Sequence, residues 1–435
     1  MKKSESVNVC YSMCSCLILA IITFLVYYST LKNGFLTGWD DQWMVFSHYT
    51  ERGWTVNNLW HIFTDFYGGQ YAPLAFLSYL ALYTSFGYDA FYFHLFSLLL
   101  HIGCVCLMWK FIATVLYLHD KRNKNKALTI AFFTAFLFAI HPINVESVAW
   151  IGAVKIPLYS FFYLASALFY LRYVQTLHKM PYLMTLFCFL FSFWGKEQAI
   201  TFPLFLLMID WFLDRNLKNG LLWLEKLPFL TMALFGGFIT ILSQGYGSGT
   251  TTTYPLIQRI VFVCYSLIEY VTKGLLPIRL NYLYPFPFLP GEAMPVHLYI
   301  YLLICFGLGG CLWAYQKKRY LLLGVCLFII NLLFSIHLLP MSRHAITADR
   351  YLYLSYMGIA FLLAYALVLL HQKYRKCFYW ILPVAIVYCV YLSVYTFTYI
   401  QNWRDTPTLK QHMKELIEKR PDYQNDPNAI NNLLN

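Results

Sequence analysis

Long apolar runs follow one another along almost the whole chain, and they restrict its possible folds more than any other feature. A helix needs about 20 apolar residues to cross a bilayer. These runs are apolar on all sides, unlike the short alternating strands of a membrane β-barrel. Of the 435 residues, 60% are hydrophobic and 12% are charged, against about 25% charged in soluble proteins. The composition excludes a soluble domain, a disordered chain and a nucleic-acid-binding protein, and it predicts an all-α polytopic membrane protein.

The apolar runs predict eleven transmembrane helices. Their approximate ranges are 9–30, 91–118, 127–140, 148–173, 181–194, 199–213, 222–243, 297–315, 320–339, 351–371 and 377–399. With the N-terminus in the cytoplasm, Lys and Arg concentrate in the cytoplasmic loops, as membrane insertion favours. The net charge of +12 is therefore attributed to topology. The odd number of spans places the C-terminus on the extracytoplasmic side.

Residues 1–400 are predicted to form one transmembrane domain with two large extracytoplasmic segments. The first loop, 31–90, is rich in Trp, Gly, Asp and Tyr, and short amphipathic helices are expected in it, for example over 56–66. The outer loop, 244–296, contains a charged apolar stretch, 259–276, interpreted as a re-entrant or interfacial helix. Residues 401–435 form a short polar tail that begins with one amphipathic helix.

Polar residues at the rims of apolar segments are costly and often mark function. Four such clusters occur, all on the predicted extracytoplasmic side. They are Asp40 and Asp41 in GWDDQW, His141 and Glu146 in HPINVESVAW with Lys155 beyond, Lys196 and Glu197 in GKEQ, and Arg343, Asp349 and Arg350 in MSRHAITADRY. A plainer interpretation is a solvated turn for the Asp pair, and helix caps, hairpin tips or local ion pairs for the others.

Two predicted helices favour the functional interpretation. The apolar parts of 127–140 and 181–194 have fourteen residues each, or ~21 Å at the rise of an α-helix, against ~30 Å of hydrocarbon. Their polar ends are therefore expected below the membrane surface, in a cavity suited to a lipid-linked substrate. Lys and Arg there are suited to a phosphate, and an Asp at the rim to general-base chemistry.

Motifs for metals and nucleotides are not found. The sequence has no HExxH pair, Walker loop, separated D-x-D or Cys-x-x-Cys zinc spacing, and its twelve cysteines lie in or beside apolar segments. No cofactor or disulfide framework is expected, although two adjacent Asp residues leave a divalent metal open.

The four clusters resemble a known family. NGFLTGWDDQW, HPINVESVAW, GKEQAITFPLFLLMIDW and ADRYLYLSYMGIAF are similar to motifs of the transmembrane and tetratricopeptide-repeat O-mannosyltransferases and their bacterial relatives. The resemblance runs in order from about Asn33 to Trp403. It implies a GT-C glycosyltransferase fold and inverting transfer from a polyprenyl- or dolichyl-phosphate-sugar to an acceptor protein or glycan among membrane lipids, without nucleic acid.

The resemblance also implies roles for individual residues. Asp40 or Asp41 is the expected base, and His141, Glu146, Lys196, Glu197, Asp349 and Arg350 match motif positions. Charge and topology further predict Glu146 on the acceptor side and Lys196, Arg350 and Lys155 as donor-phosphate ligands. His141, Glu197, Asp349 and Arg343 are the expected supporting residues. The chain departs from its relatives at Ala72, where some have Arg, and in the tail, which holds at most the start of a repeat.

Three other functions remain open at this point. An oligosaccharide ligase would act on a glycan or lipid acceptor, a flippase would move a lipid-linked sugar, and a scaffold would need neither Asp. A transporter is expected to show internal repeats, and none is found, so an enzyme is favoured. The lack of tetratricopeptide repeats and of a long lumenal domain favours a location in the bacterial inner membrane.

Overall fold

The computed structural model describes residues 2–245, 254–288, 290–337 and 345–418. Nineteen α-helices lie in these ranges, and no named β-strand. They are α1 (Lys2–Tyr27), α2 (Asp41–Met44), α3 (His48–Glu51), α4 (Val56–Thr64), α5 (Pro73–Phe86), α6 (Ala90–His119), α7 (Lys124–Ile140), α8 (Val145–Ala149), α9 (Lys155–Thr176), α10 (Lys179–Gly195), α11 (Phe202–Phe212), α12 (Gly220–Gly245), α13 (Leu256–Leu275), α14 (Ile300–Ala314), α15 (Arg319–Leu332), α16 (Asp349–Leu352), α17 (Tyr356–Lys373), α18 (Arg375–Tyr399) and α19 (Thr406–Glu418).

The prediction of an all-α polytopic membrane protein is confirmed. Within the described ranges, seven helices are long and apolar enough to cross a membrane, namely α1, α6, α9, α12, α14, α17 and α18. The bent pair of α7 and α8, with 56° between its parts, gives an eighth if it is one span. The other three predicted spans correspond to α10, α11 and α15, with 17, 11 and 14 residues. The number eleven stays a prediction because these helices are short.

The short helices end where the polar clusters begin. Pro142 follows α7 and starts a short 3-10 turn that bends the chain into α8. At the end of α10, a Cβ on Gly195 would lie 3.0 Å from the backbone nitrogen of Tyr159, so α9 and α10 approach closely there. Ser192 Oγ donates to the Tyr159 carbonyl oxygen at 2.9 Å across the same contact. These local features lie at the points where α7 and α10 end and the polar clusters begin.

The first loop has a hydrophobic core of its own. Its helix α4 begins with Thr55, whose side chain accepts from the N–H of Asn58 at 3.2 Å, which is a usual N-cap. The loop core joins α2 to α5 and reaches Ile151 and Val154 of the bundle. Tyr79 Oη donates to the carbonyl oxygen of Ile151 at 2.9 Å. The loop is therefore packed on the turn between α8 and α9, which carries part of the candidate site.

Two further helices complete this end of the bundle. Helix α13 is amphipathic, and it is not among the helices apolar enough to span. The backbone N–H of Ala348 donates to Tyr270 Oη of α13 at 3.1 Å, so α13 holds the segment before α16. The predicted tail helix is present as α19, with Leu409, Met413 and Ile417 buried at intervals of four. Such spacing gives one apolar face, which packs against the bundle.

Candidate functional site

The predicted clusters lie together at one end of the bundle. Asp41 of the first loop binds the turn before α9, and Glu146 of α8 is paired with Arg350 of α16. The charge of Lys155 interacts with those of Asp40, Lys196, Glu197 and Arg350. Arg343 lies outside the described residues. The convergence expected from short helices with polar ends is thus observed for the described members, although their chemical roles stay predictions.

Asp41 holds the first loop to the bundle. Its carboxylate is fully buried and accepts three hydrogen bonds, from the N–H groups of Leu36 (2.9 Å) and Gly152 (2.8 Å) and from Trp150 Nε1 (2.9 Å). A Cβ on Gly152 would lie 2.8 Å from an Asp41 oxygen, so the turn needs glycine there. Burial raises the pKa of Asp41 to about 7, although the three donors oppose this rise. Every described contact of this carboxylate is internal.

Asp40 lies on the other side of the same turn and lines a cavity of about 530 Å³. Its Oδ1 accepts from Trp43 Nε1 at 3.2 Å, and its side chain is only partly buried. Three aromatic rings and an amide share the lining. They belong to Trp39, Trp43, Tyr282 and Gln42. Asp40 is therefore the member of the pair that a molecule in this cavity can reach.

The buried Glu146 and the partly buried Arg350 form an ion pair behind the cavity. The backbone N–H of Arg350 donates to Glu146 Oε2 at 2.7 Å, and Nη1 donates to Oε1. The guanidinium also stacks on the ring of Tyr282, at 5.3 Å from its centroid. Such stacking is favourable for Arg, which is planar and weakly hydrated. Tyr282 also lines the Asp40 cavity, so the Tyr282 ring lies between Arg350 and that cavity.

Lys155 and Lys196 provide two further cations. Lys155 is 5% exposed, and its Nζ contacts Gln70 Oε1 and Met44 Sδ, both on the first loop. Lys196 is 6% exposed, and its Nζ donates to Glu197 at 3.1 Å. Lys196 thus has a carboxylate partner, whereas the described partners of Lys155 are neutral.

The remaining supporting residues are packed inside. His141 lies with its ring 4.1 Å from that of Tyr356, and its Nδ1 accepts from the N–H of Ile143 at 3.2 Å, which caps the turn after α7. Asp349 is fully buried. Burial raises the pKa of Asp349 to about 7, and the charge of Lys273 opposes this rise. Both residues shape the segments that carry Glu146 and Arg350.

Lys273 and Tyr282 were not predicted as site residues. Lys273 is 7% exposed, donates to Thr347 Oγ1 at 3.1 Å and lies 3.1 Å from the centroid of the Tyr284 ring. The sequence does contain a signal for Lys273, since it is a charged residue within the apolar stretch 259–276. No sequence pattern marks Tyr282. It is one of 37 tyrosines and differs from the others only in its position in the folded chain.

The contacts of Asp41 predict a loss of stability in Asp41→Asn. At pH 8 the wild-type carboxylate is mostly ionised and accepts all three N–H groups. An amide replaces one acceptor by a donor, so we expect the variant to lose on the order of 1–3 kcal/mol of stability. The measurement is the Tm of the purified protein in detergent at pH 8. Asp40→Asn is the matched control, and an equal or larger fall in its Tm would contradict the assignment of Asp41 as the structural member.

Comparison with known proteins gives partial similarity to one group. Protein O-mannosyl-transferase Tmtc3 of Drosophila melanogaster is 29% identical over 168 residues, which cover 34% of this chain and 18% of that protein. Protein O-mannosyl-transferase TMTC1 of Mus musculus and of Homo sapiens are each 34% identical over 145 residues, or 31% of this chain. These matches cover 14% and 15% of the relatives.

The matched region is thus less than a fifth of each of these relatives. No family model matches the chain. Over about a third of its length, the chain resembles the transmembrane and tetratricopeptide-repeat O-mannosyltransferases of the GT-C class.

Proposed function

We propose that this protein is an inverting glycosyltransferase. It moves a sugar, mannose or another hexose, from a polyprenyl-phosphate donor to an acceptor hydroxyl on the extracytoplasmic side of a membrane. The names of its relatives suggest protein O-mannosylation as the form of this reaction. The proposed setting is the bacterial inner membrane, with the N-terminus in the cytoplasm and the C-terminus outside.

The observation that carries the proposal is the environment of Lys155. An ammonium group buried without an anion is unfavourable by several kcal/mol. Among the described residues, no carboxylate forms an ion pair with Lys155 within 4.0 Å, and its two contacts are an amide oxygen and a thioether. A bound phosphate would supply the missing anion. Lys155 is therefore assigned to the donor phosphate.

Lys196 and Arg350 are assigned to the same phosphate. Each has a carboxylate partner, Glu197 and Glu146 respectively, so Lys155 gives this group an excess of positive charge. When the sugar leaves, a phosphodiester becomes a phosphomonoester and gains negative charge. Cations fixed around it favour the transition state over the bound donor, which is how preorganised charge accelerates a reaction.

Asp40 is assigned as the general base. An acceptor hydroxyl in the 530 Å³ cavity would give its proton to the Asp40 carboxylate and attack the anomeric carbon opposite the phosphate. The bond from that carbon to the phosphate oxygen breaks, and the configuration inverts. The rings of Trp39, Trp43 and Tyr282 offer flat surfaces to an acceptor. Asp41, which contacts three internal donors, keeps the turn in place.

The test is the release of polyprenyl phosphate by protein in lipid, with mannose, glucose, arabinose and N-acetylhexosamine donors. Lys155→Met should lower kcat/KM for the donor by about 100-fold or more, as the loss of one preorganised charge does elsewhere. Lys414→Met, an exposed lysine of α19, is the matched control and should behave as wild type. No release from any donor, or full activity in Lys155→Met, would contradict the proposal and favour a ligase with a larger donor or a flippase.

A further inference from the structure

Two buried residues of α13 hold the segment that leads into α16. Tyr270 and Lys273 are three positions apart, so they lie on the same face of the helix. Tyr270 Oη accepts from the N–H of Ala348 at 3.1 Å and donates to its carbonyl oxygen at 3.3 Å. Lys273 Nζ donates to Thr347 Oγ1 at 3.1 Å. Arg350 follows Ala348 by two residues, so α13 fixes the chain just before the guanidinium assigned to the donor phosphate.

The ammonium group of Lys273 is itself held in place by Tyr284. Its Nζ lies 3.1 Å from the centroid of the Tyr284 ring, which is a favourable contact between a cation and an aromatic face. The backbone of Tyr284 also binds the segment before α16, since its carbonyl oxygen accepts from the N–H of Ile346 at 2.8 Å. Lys273 is thus fixed by the same residue that holds the chain leading to Arg350.

Four charged side chains lie around the start of α16. Two are cations and two are carboxylates, namely Lys273, Arg350, Glu146 and Asp349. Glu146 and Asp349 are fully buried and Lys273 is nearly so, and charges in such surroundings interact more strongly than in water. Each cation interacts with both carboxylates. The group is neutral when both carboxylates are ionised, and Lys273 supplies one of its two positive charges.

Arg350 is oriented by one of the two carboxylates. Its backbone N–H donates to Glu146 Oε2 at 2.7 Å and its Nη1 donates to Oε1, while the guanidinium stacks on Tyr282. Asp349 is the neighbour of Arg350 in the chain, but among the described contacts it forms no ion pair with Arg350 within 4.0 Å. A buried carboxylate so near would compete for the guanidinium if no second cation balanced it.

We infer that Lys273 is a positioning residue for Arg350 in donor binding. This inference rests on the proposed function, which assigns Arg350 to the donor phosphate. Lys273 balances the charge of Asp349, so that Glu146 alone orients the guanidinium and keeps it beside Tyr282. Without the lysine, the ionised Asp349 would be left with Arg350 as its counter-charge and would draw it away from Glu146.

The test measures the Kd of polyprenyl phosphate for the purified protein in lipid at pH 8, beside turnover of the mannosyl donor. Lys273→Met should raise this Kd about tenfold to 100-fold, because a small displacement of a positioned group is enough for such a loss. Lys273→Gln keeps a donor for Thr347 Oγ1 but not the charge, and it should weaken binding to the same extent. Lys273→Arg keeps the charge and should bind as wild type does. Lys226→Met, which removes a buried lysine of another ion pair, is the matched control and should leave the Kd unchanged.

Two double variants separate the positioning of Arg350 from general damage to the fold. Lys273→Met with Asp349→Asn balances the charges again, so its Kd should return toward the wild-type value. In an Arg350→Met background, Lys273→Met should change the Kd little further, because residues that act through one another are not additive. If Lys273→Met does not fold, Lys273→Gln gives the same comparisons.

Two results would overturn the inference. One is a Kd per folded molecule that stays at the wild-type value in Lys273→Met and Lys273→Gln. The other is equal weakening by Lys273→Met in the presence and in the absence of Arg350. Binding of polyprenyl phosphate without turnover of any donor would instead contradict the proposed function, and the Kd values would still decide the role of Lys273. A wild-type protein that does not bind polyprenyl phosphate would contradict both.

Discussion

Asp40→Asn should reduce the rate of sugar transfer by about 100- to 10,000-fold, the usual contribution of a general base. The amide keeps the size of the side chain and the oxygen that accepts from Trp43 Nε1, but it does not take a proton from the acceptor hydroxyl. The effect should appear in kcat at saturating donor. The donor KM should stay near the wild-type value, because the phosphate is assigned to Lys155, Lys196 and Arg350.

Two further variants test whether the loss of activity is specific to the Asp40 carboxylate. Asp40→Glu keeps a carboxylate at a slightly different position and should retain part of the activity. Asp41→Asn should keep kcat per folded molecule closer to that of wild type than Asp40→Asn does, while losing stability. The reverse order, with Asp41→Asn inactive and Asp40→Asn active, would move the general base to Asp41 and make Asp40 a residue of the cavity wall.

The sequence predicted the helical class and the convergence of the polar clusters for physical reasons that are local. Apolar runs of about 20 residues have few alternatives to membrane helices, and a short helix with a polar end indicates a cavity. Every one of the eleven predicted spans overlaps an observed helix. The number of spans does not follow from the pattern alone, because α10, α11 and α15 have only 17, 11 and 14 residues. The close approach of α9 at the end of α10, where Gly195 meets Tyr159, is a tertiary contact that periodicity does not show.

The different roles assigned to Asp40 and Asp41 could not be predicted from the sequence. The two residues are adjacent and chemically identical, and they differ only in what the folded chain brings to them. Asp41 meets Trp150 and Gly152, 109 and 111 residues away. The pairing of Glu146 with Arg350 likewise joins positions 204 residues apart. Such contacts depend on how whole helices pack together. The local periodicity of the sequence carries no information about that packing.

A second group of charges, which no sequence motif marks, lies between α9, α11 and α12. Its members are Tyr170, Asp210, Arg215, Glu225 and Lys226. Lys226 Nζ lies 2.8 Å from Asp210 Oδ2, and both side chains are almost completely buried. Arg215 binds Glu225 through two hydrogen bonds of 2.9 and 3.0 Å and Asp210 through one of 3.0 Å. Two carboxylates thus face two cations, so the group needs no ligand for balance.

Lys226→Met should therefore lower stability strongly without changing the chemistry. Removing one partner leaves Asp210 and Glu225 to share Arg215, and breaking a buried pair in this way costs about 3–5 kcal/mol. The measurement is the Tm of the purified protein in detergent, together with the donor KM of the fraction that remains folded. The Tm should fall, and the KM should match that of wild type.

The double variant Lys226→Met with Asp210→Asn tests the reason for this loss. Its charges balance again, since Arg215 keeps its two hydrogen bonds to Glu225 and the Asn oxygen still accepts from Tyr170 Oη. The Tm should recover most of the loss caused by Lys226→Met alone. A double variant less stable than the single one would mean that shape and not charge balance holds these helices.

The same reasoning predicts a different result for Lys155→Met, which removes a cation without a carboxylate partner. Its Tm should be unchanged or higher than that of wild type, because the buried charge of Lys155 is balanced only when an anion is bound.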